Sequence, residues 1–378
     1  MSRFGVRRLS LIFFFLFLGM SLQGQRLNEN YLMSYFSVED GMSQSEVTSI
    51  VQDKYGFMWF GTRGGLNRFD GYEFVTYKPE VRQTNKLKNP SIECLYVDDQ
   101  GDIWIGTKSG GIGIYDLEAV AFKNLDSVAA NFPNRIIEIF KDKAGNYWFG
   151  SWGSGLFEYN PTTKQVSHHL SGQRIHAIFQ SQDGTMWFGS GMGLSYRKAG
   201  DEEIRRYPLR QGYHEVTEIV EDPVGSVLWI VGWNIGLVSL DYNTFTHNSH
   251  EIVDNAGQRI TSTYSLLLDK NEHVWVGTWG NGLYRFDTTN KTSIEVLLRP
   301  ANMKRQSVDY NIILDIFQDP VGDIWFGTDG GGVVKLSRSR PFQTISSVNN
   351  SMAESWHVNT VYVSDQGELW IGTRRSGL

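Results

Sequence analysis

Three tryptophans, Trp152, Trp233 and Trp279, stand at matching positions of a repeated unit, and Arg63, Lys108, Asp329 and Arg374 fill the same position in other copies. Aromatic faces beside Arg, Asn or Asp suit a saccharide: rings stack on C–H faces and the polar groups bond hydroxyls. A second set, Arg135, Arg174, His214, Asn311 and His357, stands where each unit begins. If the two sets share a face, they form one ligand-binding surface. The same tryptophans would also serve simply to cover one end of the fold.

Other chemistry finds little support. The eight histidines, His168, His169, His176, His214, His247, His250, His273 and His357, show no H-E-x-x-H or other ligand spacing. His168 and His169 are adjacent, so in a strand they point to opposite faces and share no metal. No G-x-S-x-G elbow is present. Cys94 is alone, which excludes an internal disulfide and a cysteine-based zinc site. Asp53, Asp98, Asp142, Asp222, Asp269 and Asp319 look catalytic until they are seen to repeat. A residue needed in nearly every unit serves the geometry of the unit. The expectation is a chain that is not an enzyme, with no cofactor and no metal.

The unit that must position these residues begins at Val47-Thr48-Ser49-Ile50-Val51-Gln52-Asp53 and runs through Trp59-Phe60-Gly61-Thr62. Its tryptophan returns as Trp104, Trp148, Trp187, Trp229, Trp275, Trp325 and Trp370, at a mean spacing of about 44 residues. A glycine and an aliphatic residue close every copy, from Gly65-Leu66 to Gly377-Leu378. Ile136-Ile137-Glu138-Ile139-Phe140 reads as a mostly apolar, innermost strand. Asp142-Lys143-Ala144-Gly145 is a hairpin turn: Asp caps it and Gly takes positive φ. Tyr147-Trp148-Phe149-Gly150, Leu156-Phe157-Glu158-Tyr159 and a variable outer strand complete the copy. Four short strands and their turns fill a β-propeller blade, and the tryptophan should pack between sheets. Leucine-rich, helical and WD40 repeats fail on length, periodicity or signature; a parallel β-helix usually has shorter turns. Three copies depart: Ser181 replaces Asp, Glu272 replaces the turn glycine so that turn should differ, and Val231 stands where the others have Gly.

Forty glycines, nine prolines and an aromatic share of 13% suit such a fold. The net charge of −6 argues against a nonspecific grip on nucleic acid. Arg3, Arg7 and Arg8 precede an apolar run from Leu9 to Met20, followed by Ser21-Leu22-Gln23-Gly24. Residues 1–24 read as a secretory signal peptide, with an uncleaved anchor as the alternative. The run is short of the about 20 residues that span a bilayer. No cysteine follows it, so no lipoprotein anchor is expected.

The pattern V-x-x-I-x-x-D-x-x-G-x-x-W-x-G-T-x-x-G-G-L closely resembles the two-component regulator propeller repeat, and Phe36-Ser37-Val38-Glu39-Asp40-Gly41-Met42-Ser43-Gln44-Ser45 resembles the segment before that family's first blade. The resemblance spans residues 31–378. It implies the periplasmic sensor region of a hybrid two-component system, in which propellers precede a transmembrane helix, a histidine kinase, a receiver and a helix-turn-helix. It further implies an oligosaccharide ligand and control of polysaccharide-utilisation genes. None of the kinase or DNA-binding signatures is present, and the eighth copy is cut, so the chain reads as a fragment or a truncated gene.

The expected layout is all-β: a signal peptide over 1–24, a seven-bladed propeller over 25–340, and an incomplete second propeller over 341–378. Eight blades in one ring is the alternative. Tyr31-Leu32-Met33-Ser34-Tyr35-Phe36 would supply the last blade's outer strand. The ligand candidates are Arg63, Lys108, Arg135, Trp152, Arg174, His214, Trp233, Trp279, Asp329 and Arg374. The expected partner is an oligosaccharide, with dimerisation through missing C-terminal parts. No nucleic acid is expected here, and the membrane is met only through a missing helix. An exported polysaccharide-active lyase or glycosidase, or a protein-contact scaffold, are the alternative functions.

Overall fold

The structure is a computed structural model that describes residues 31–79, 87–123, 132–254, 256–296, 310–338, 358–364 and 369–373. The signal-peptide expectation lies outside these residues. The described residues up to Arg338 form one compact unit. It contains seven four-stranded antiparallel sheets, each a blade. The innermost strands are Val47–Gln52, Ile92–Val97, Ile136–Lys141, Ile175–Gln180, Glu218–Asp222, Thr263–Leu268 and Ile313–Gln318. Each packs against the next, and the seventh packs against the first, so the ring is closed. The protein is a seven-bladed β-propeller.

Closure is made by the strand nearest the N-terminus of the described chain. Tyr31–Phe36 runs antiparallel to Val333–Arg338 as the outer strand of blade 7, with Tyr31 opposite Arg338 and Phe36 opposite Val333. Beyond Ser339, Val358–Val363 and Leu369–Thr373 form a separate hairpin with Trp370 opposite Tyr362.

The seam between neighbouring blades is where the repeated tryptophan works. Trp148 is fully buried with Ile175, Ile178 and Phe188 of the next blade, and Trp275 with Ile313 and Phe326. All seven seams carry such a cluster. A buried indole N–H needs an acceptor. The turn aspartate six residues earlier supplies it: Asp53, Asp98, Asp142, Asp269 and Asp319 accept from Trp59, Trp104, Trp148, Trp275 and Trp325 at 2.7–3.0 Å. The other carboxylate oxygen takes turn N–H groups, as Asp142 does from Ala144 and Asn146. In blade 4 the Ser181 hydroxyl replaces the carboxylate at 3.0 Å. In blade 5 Asp222 stands one residue further from Trp229, whose N–H has no partner. The repeated aspartates are latches of the fold.

The blade 6 turn is unlike the expectation. Glu272 adopts φ 63° and its N–H bonds the Asp269 carbonyl, as Gly145 does with Asp142. The turn is conserved and the glutamate bears a conformation that L side chains disfavour.

The glycine two residues after the tryptophan is set by close approach. A Cβ on Gly150 would lie 2.5 Å from the Ile175 carbonyl oxygen of the next blade, and one on Gly327 2.7 Å from that of Val47. In six blades the inner pair also carries a register shift, as between Ile136 and Glu138. Blade 5 pairs without one, and there Val231 fits opposite Glu218. Gly150→Ala is expected to cost about 1–3 kcal/mol through overpacking of the seam. Urea unfolding checks this; an unchanged midpoint would show that the seam can yield.

Candidate functional site

The residue before each inner strand and the loop between the second and third strands lie on one face. Trp152 bridges to Arg174, Trp233 to Ser262, Trp279 to Ile312 and Asp329 to Glu46, each time joining one blade's loop to the next blade's lead-in. This brings seven of the sequence candidates, Arg63, Arg135, Trp152, Arg174, Trp233, Trp279 and Asp329, to one cavity of about 270 Å3 at the channel mouth.

Lys108 and His214 are not part of it. Lys108 bonds Ser91 through its backbone N–H, and its side chain is exposed. His214 is buried, with Nδ1 at 2.9 Å from the Gly212 carbonyl and its ring against Gly193, where any Cβ would collide with it. The true counterpart of Arg135 and Arg174 is Glu215, because Val216 takes the buried place of Ile136 and Ile175. Arg374, like His357, lies outside the described residues.

Carboxylates that the sequence reading passed over complete the mouth. Arg63 pairs with Glu46 through Nε and with Glu93 through Nη1, both at 2.7 Å. Glu93 also holds Arg135 at 3.0 Å. Arg174 pairs with Glu215 at 2.6 Å, and His176 reaches the same carboxylate at 3.3 Å. The side chains of Glu93 and Glu215 are only 8% and 5% exposed. The His176 imidazole beside it, with further help from Tyr213 and Arg174, holds Glu215 down to about 2. Burial disfavours the Arg63 cation, but its two carboxylate partners outweigh this and raise its pKa.

The aromatic residues divide into two groups. Arg135 lies 4.0 Å and Arg174 5.1 Å from the ring centre of Trp152. Its indole thus spaces the two guanidinium groups. Trp279 sits 5.4 Å from Trp233 and 5.3 Å from Tyr264, and remains 39% exposed. It is the ring best placed to receive a ligand face.

Below the mouth a second space of about 180 Å3 shares Glu93, His176 and Tyr264 with it. Glu138, Glu218 and Asp315 line this throat from equivalent positions of blades 3, 5 and 7. Burial, with Asp315 nearby, pushes Glu138 and Glu218 well above the usual carboxylate range. Burial likewise raises Asp315 to about 6, against N–H groups of Ile50 at 2.6 Å and Ile316 at 2.7 Å that favour its anion. Among the described residues no group of three or more His, Cys, Asp or Glu side chains is placed to hold a metal ion. Nor, among them, is any helix long and apolar enough to cross a membrane.

A sequence profile of the two-component regulator propeller matches residues 41–64, 86–109, 169–192 and 307–330. Those four stretches are similar to two-component regulator propeller repeats. It is 27% identical to the "Histidine kinase P4" of Formosa agariphila over 96% of its own length and 30% of that protein. It is also similar to a solved structure described as the extracellular domain of a hybrid two-component system, BT3049, from B. thetaiotaomicron: TM-score 0.69 and 28% identity over 90% of this chain and 47% of that one. The chain therefore spans about a third of the curated relative and about half of the solved domain. The virginiamycin B lyase of Staphylococcus aureus shares the fold alone, with TM-score 0.62 and 14% identity over 81% of this chain and 99% of the lyase.

In this propeller the mouth and throat oppose one another in pH dependence. Asp315 keeps its proton to about pH 6 when folded, but only to about pH 3.9 when unfolded. Its stabilising protonated state is thus lost as pH rises from about 4 to about 6, a change on the order of 3 kcal/mol. Glu215 has a lowered pKa, so its contribution is present above about pH 4.3 and fades as pH falls toward 2. Scanning calorimetry from acid to neutral pH should show the highest melting temperature near pH 4–5. Asp315→Asn should flatten the fall toward pH 7. A wild-type midpoint that climbs steadily to neutrality would contradict this.

Proposed function

We propose that this propeller is the exported, ligand-sensing region of a hybrid two-component system and that its channel mouth takes an oligosaccharide. The observation that carries the reading is the convergence of Trp152, Trp233 and Trp279 with three carboxylate-paired arginines around one cavity. Stacking surfaces and fixed hydrogen-bonding groups are what polyhydroxylated rings require. The likeness to an extracellular domain of a hybrid system supports the sensing role and a place outside the cytoplasm. In the proposal this region senses, and phosphotransfer belongs to other parts of such a parent. Residues 1–24 would direct export.

Isothermal titration against a glycan panel tests this. Trp279→Ala is expected to weaken a bound glycan about tenfold, or about 1.4 kcal/mol, with the melting temperature nearly unchanged. A large fall in melting temperature would make Trp279 a packing residue. A second reading, a polysaccharide-active enzyme, draws on the raised carboxylates Glu138, Glu218 and Asp315 beneath the mouth. Product formation during the titration would select it.

A further inference from the structure

We infer that the mouth is built for an uncharged saccharide and rejects glycans bearing uronate or sulfate groups. This deepens the oligosaccharide reading and rests on it. Every arginine at the mouth is already engaged: Arg63 by Glu46 and Glu93, Arg135 by Glu93, and Arg174 by Glu215. With Asp329, four carboxylates face three guanidinium groups around the cavity.

An anionic ligand must give up its hydration, and only an available cation repays that cost. Here it could gain one only by displacing Glu46, Glu93 or Glu215, the last two buried, and so leaving another charge without its partner. Deeper in, the throat lining holds four carboxylic side chains and neither lysine nor arginine, so an anion reaching inward finds no better partner.

A neutral sugar meets the opposite situation. Arginine carries five N–H donors in a fixed fork, and each carboxylate has several acceptor sites, so pairing leaves capacity on both sides. A hydroxyl both donates and accepts, and can use both. A sulfate or carboxylate only accepts and leaves the glutamate oxygens unsatisfied. The ion pairs also hold these groups in place before a ligand arrives.

The test is titration of the whole chain with size-matched neutral and acidic oligosaccharides, namely gluco-, xylo-, manno- and galacto-oligosaccharides against oligogalacturonates and sulfated galactans. Each is measured at about 50 mM and about 300 mM salt. The expected result is binding of a neutral glycan, with Kd changing less than twofold between the two salts and no acidic glycan binding. Tightest binding by an acidic glycan, weakening tenfold or more at the higher salt, would overturn the inference and leave the sensing role standing. No binding by either class would overturn both. Glu215→Gln, which releases Arg174, should gain affinity for acidic glycans at least fivefold. If that variant does not fold, Glu46→Gln at the less buried rim should shift the same way. No gain in a folded variant counts against the inference.

Discussion

Removal of residues 31–36 is expected to cost about 4–6 kcal/mol and to spread unfolding over more than one transition. The strand completes the seventh blade with the start of the described chain, beside the Glu46–Asp329 bridge and the packing of the first inner strand on the seventh. Phe36 stacks on Trp325 at 6.0 Å and lies 5.0 Å from Phe69 of blade 1, so it seals the seam where the ring closes. Tyr35 packs edge-on to Tyr310 at 5.9 Å. Without the strand, Val333–Arg338 becomes an unpaired edge next to the buried Val334 and Leu336. Calorimetry of the shortened chain, with and without the excised segment added as a peptide, reads the effect. A single sharp transition at the original midpoint would show that closure does not depend on the clasp.

Glu93→Ala should be nearly as damaging, at about 3–5 kcal/mol, because it strands the Arg135 guanidinium and takes one of the two carboxylates of Arg63. Glu93 sits on blade 2 between Arg63 of blade 1 and Arg135 of blade 3, with little exposure to water. Losing it also frees Arg135, which lies over Trp152, so glycan binding is expected to fail together with stability. Glu118→Ala makes the contrast. It breaks a comparably short contact with Lys54, but both partners face solvent, and no measurable change in melting temperature is expected. Equal effects from the two variants in urea unfolding would mean that burial does not decide the worth of these pairs.

The frame of the molecule could be read from residue types, because it repeats. The Trp states the seam in all seven blades, the Gly the close contact in six and the Asp the latch in five, and Tyr31–Phe36 stands in sequence where the outer strand of a last blade must come from. The face shared by the two loop sets was readable for the same reason. What escaped was the wall of the channel. The register shift at the start of the inner strand turns two successive residues toward the axis, as with Glu93 and Cys94 or Ile137 and Glu138. Simple alternation therefore hides Glu93, Glu138 and Asp315 in what looks like an apolar strand. Aligning the second and third residues of the inner strands across the copies would have exposed them. His214 was a misalignment by one residue, and only the burial of Val216 reveals it. The Glu272 turn shows the limit of the glycine rule: the neighbouring bonds of Asp269 hold a glutamate in the left-handed region.

The most direct measurement is a crystal structure of the propeller with the best-binding oligosaccharide from the titration. The expected result is a sugar ring against Trp279, with hydroxyls bonded to the Arg174–Glu215 pair at the channel mouth. A saccharide seated on the opposite face, or on the rim away from Trp279 and Arg174, would contradict the proposed site.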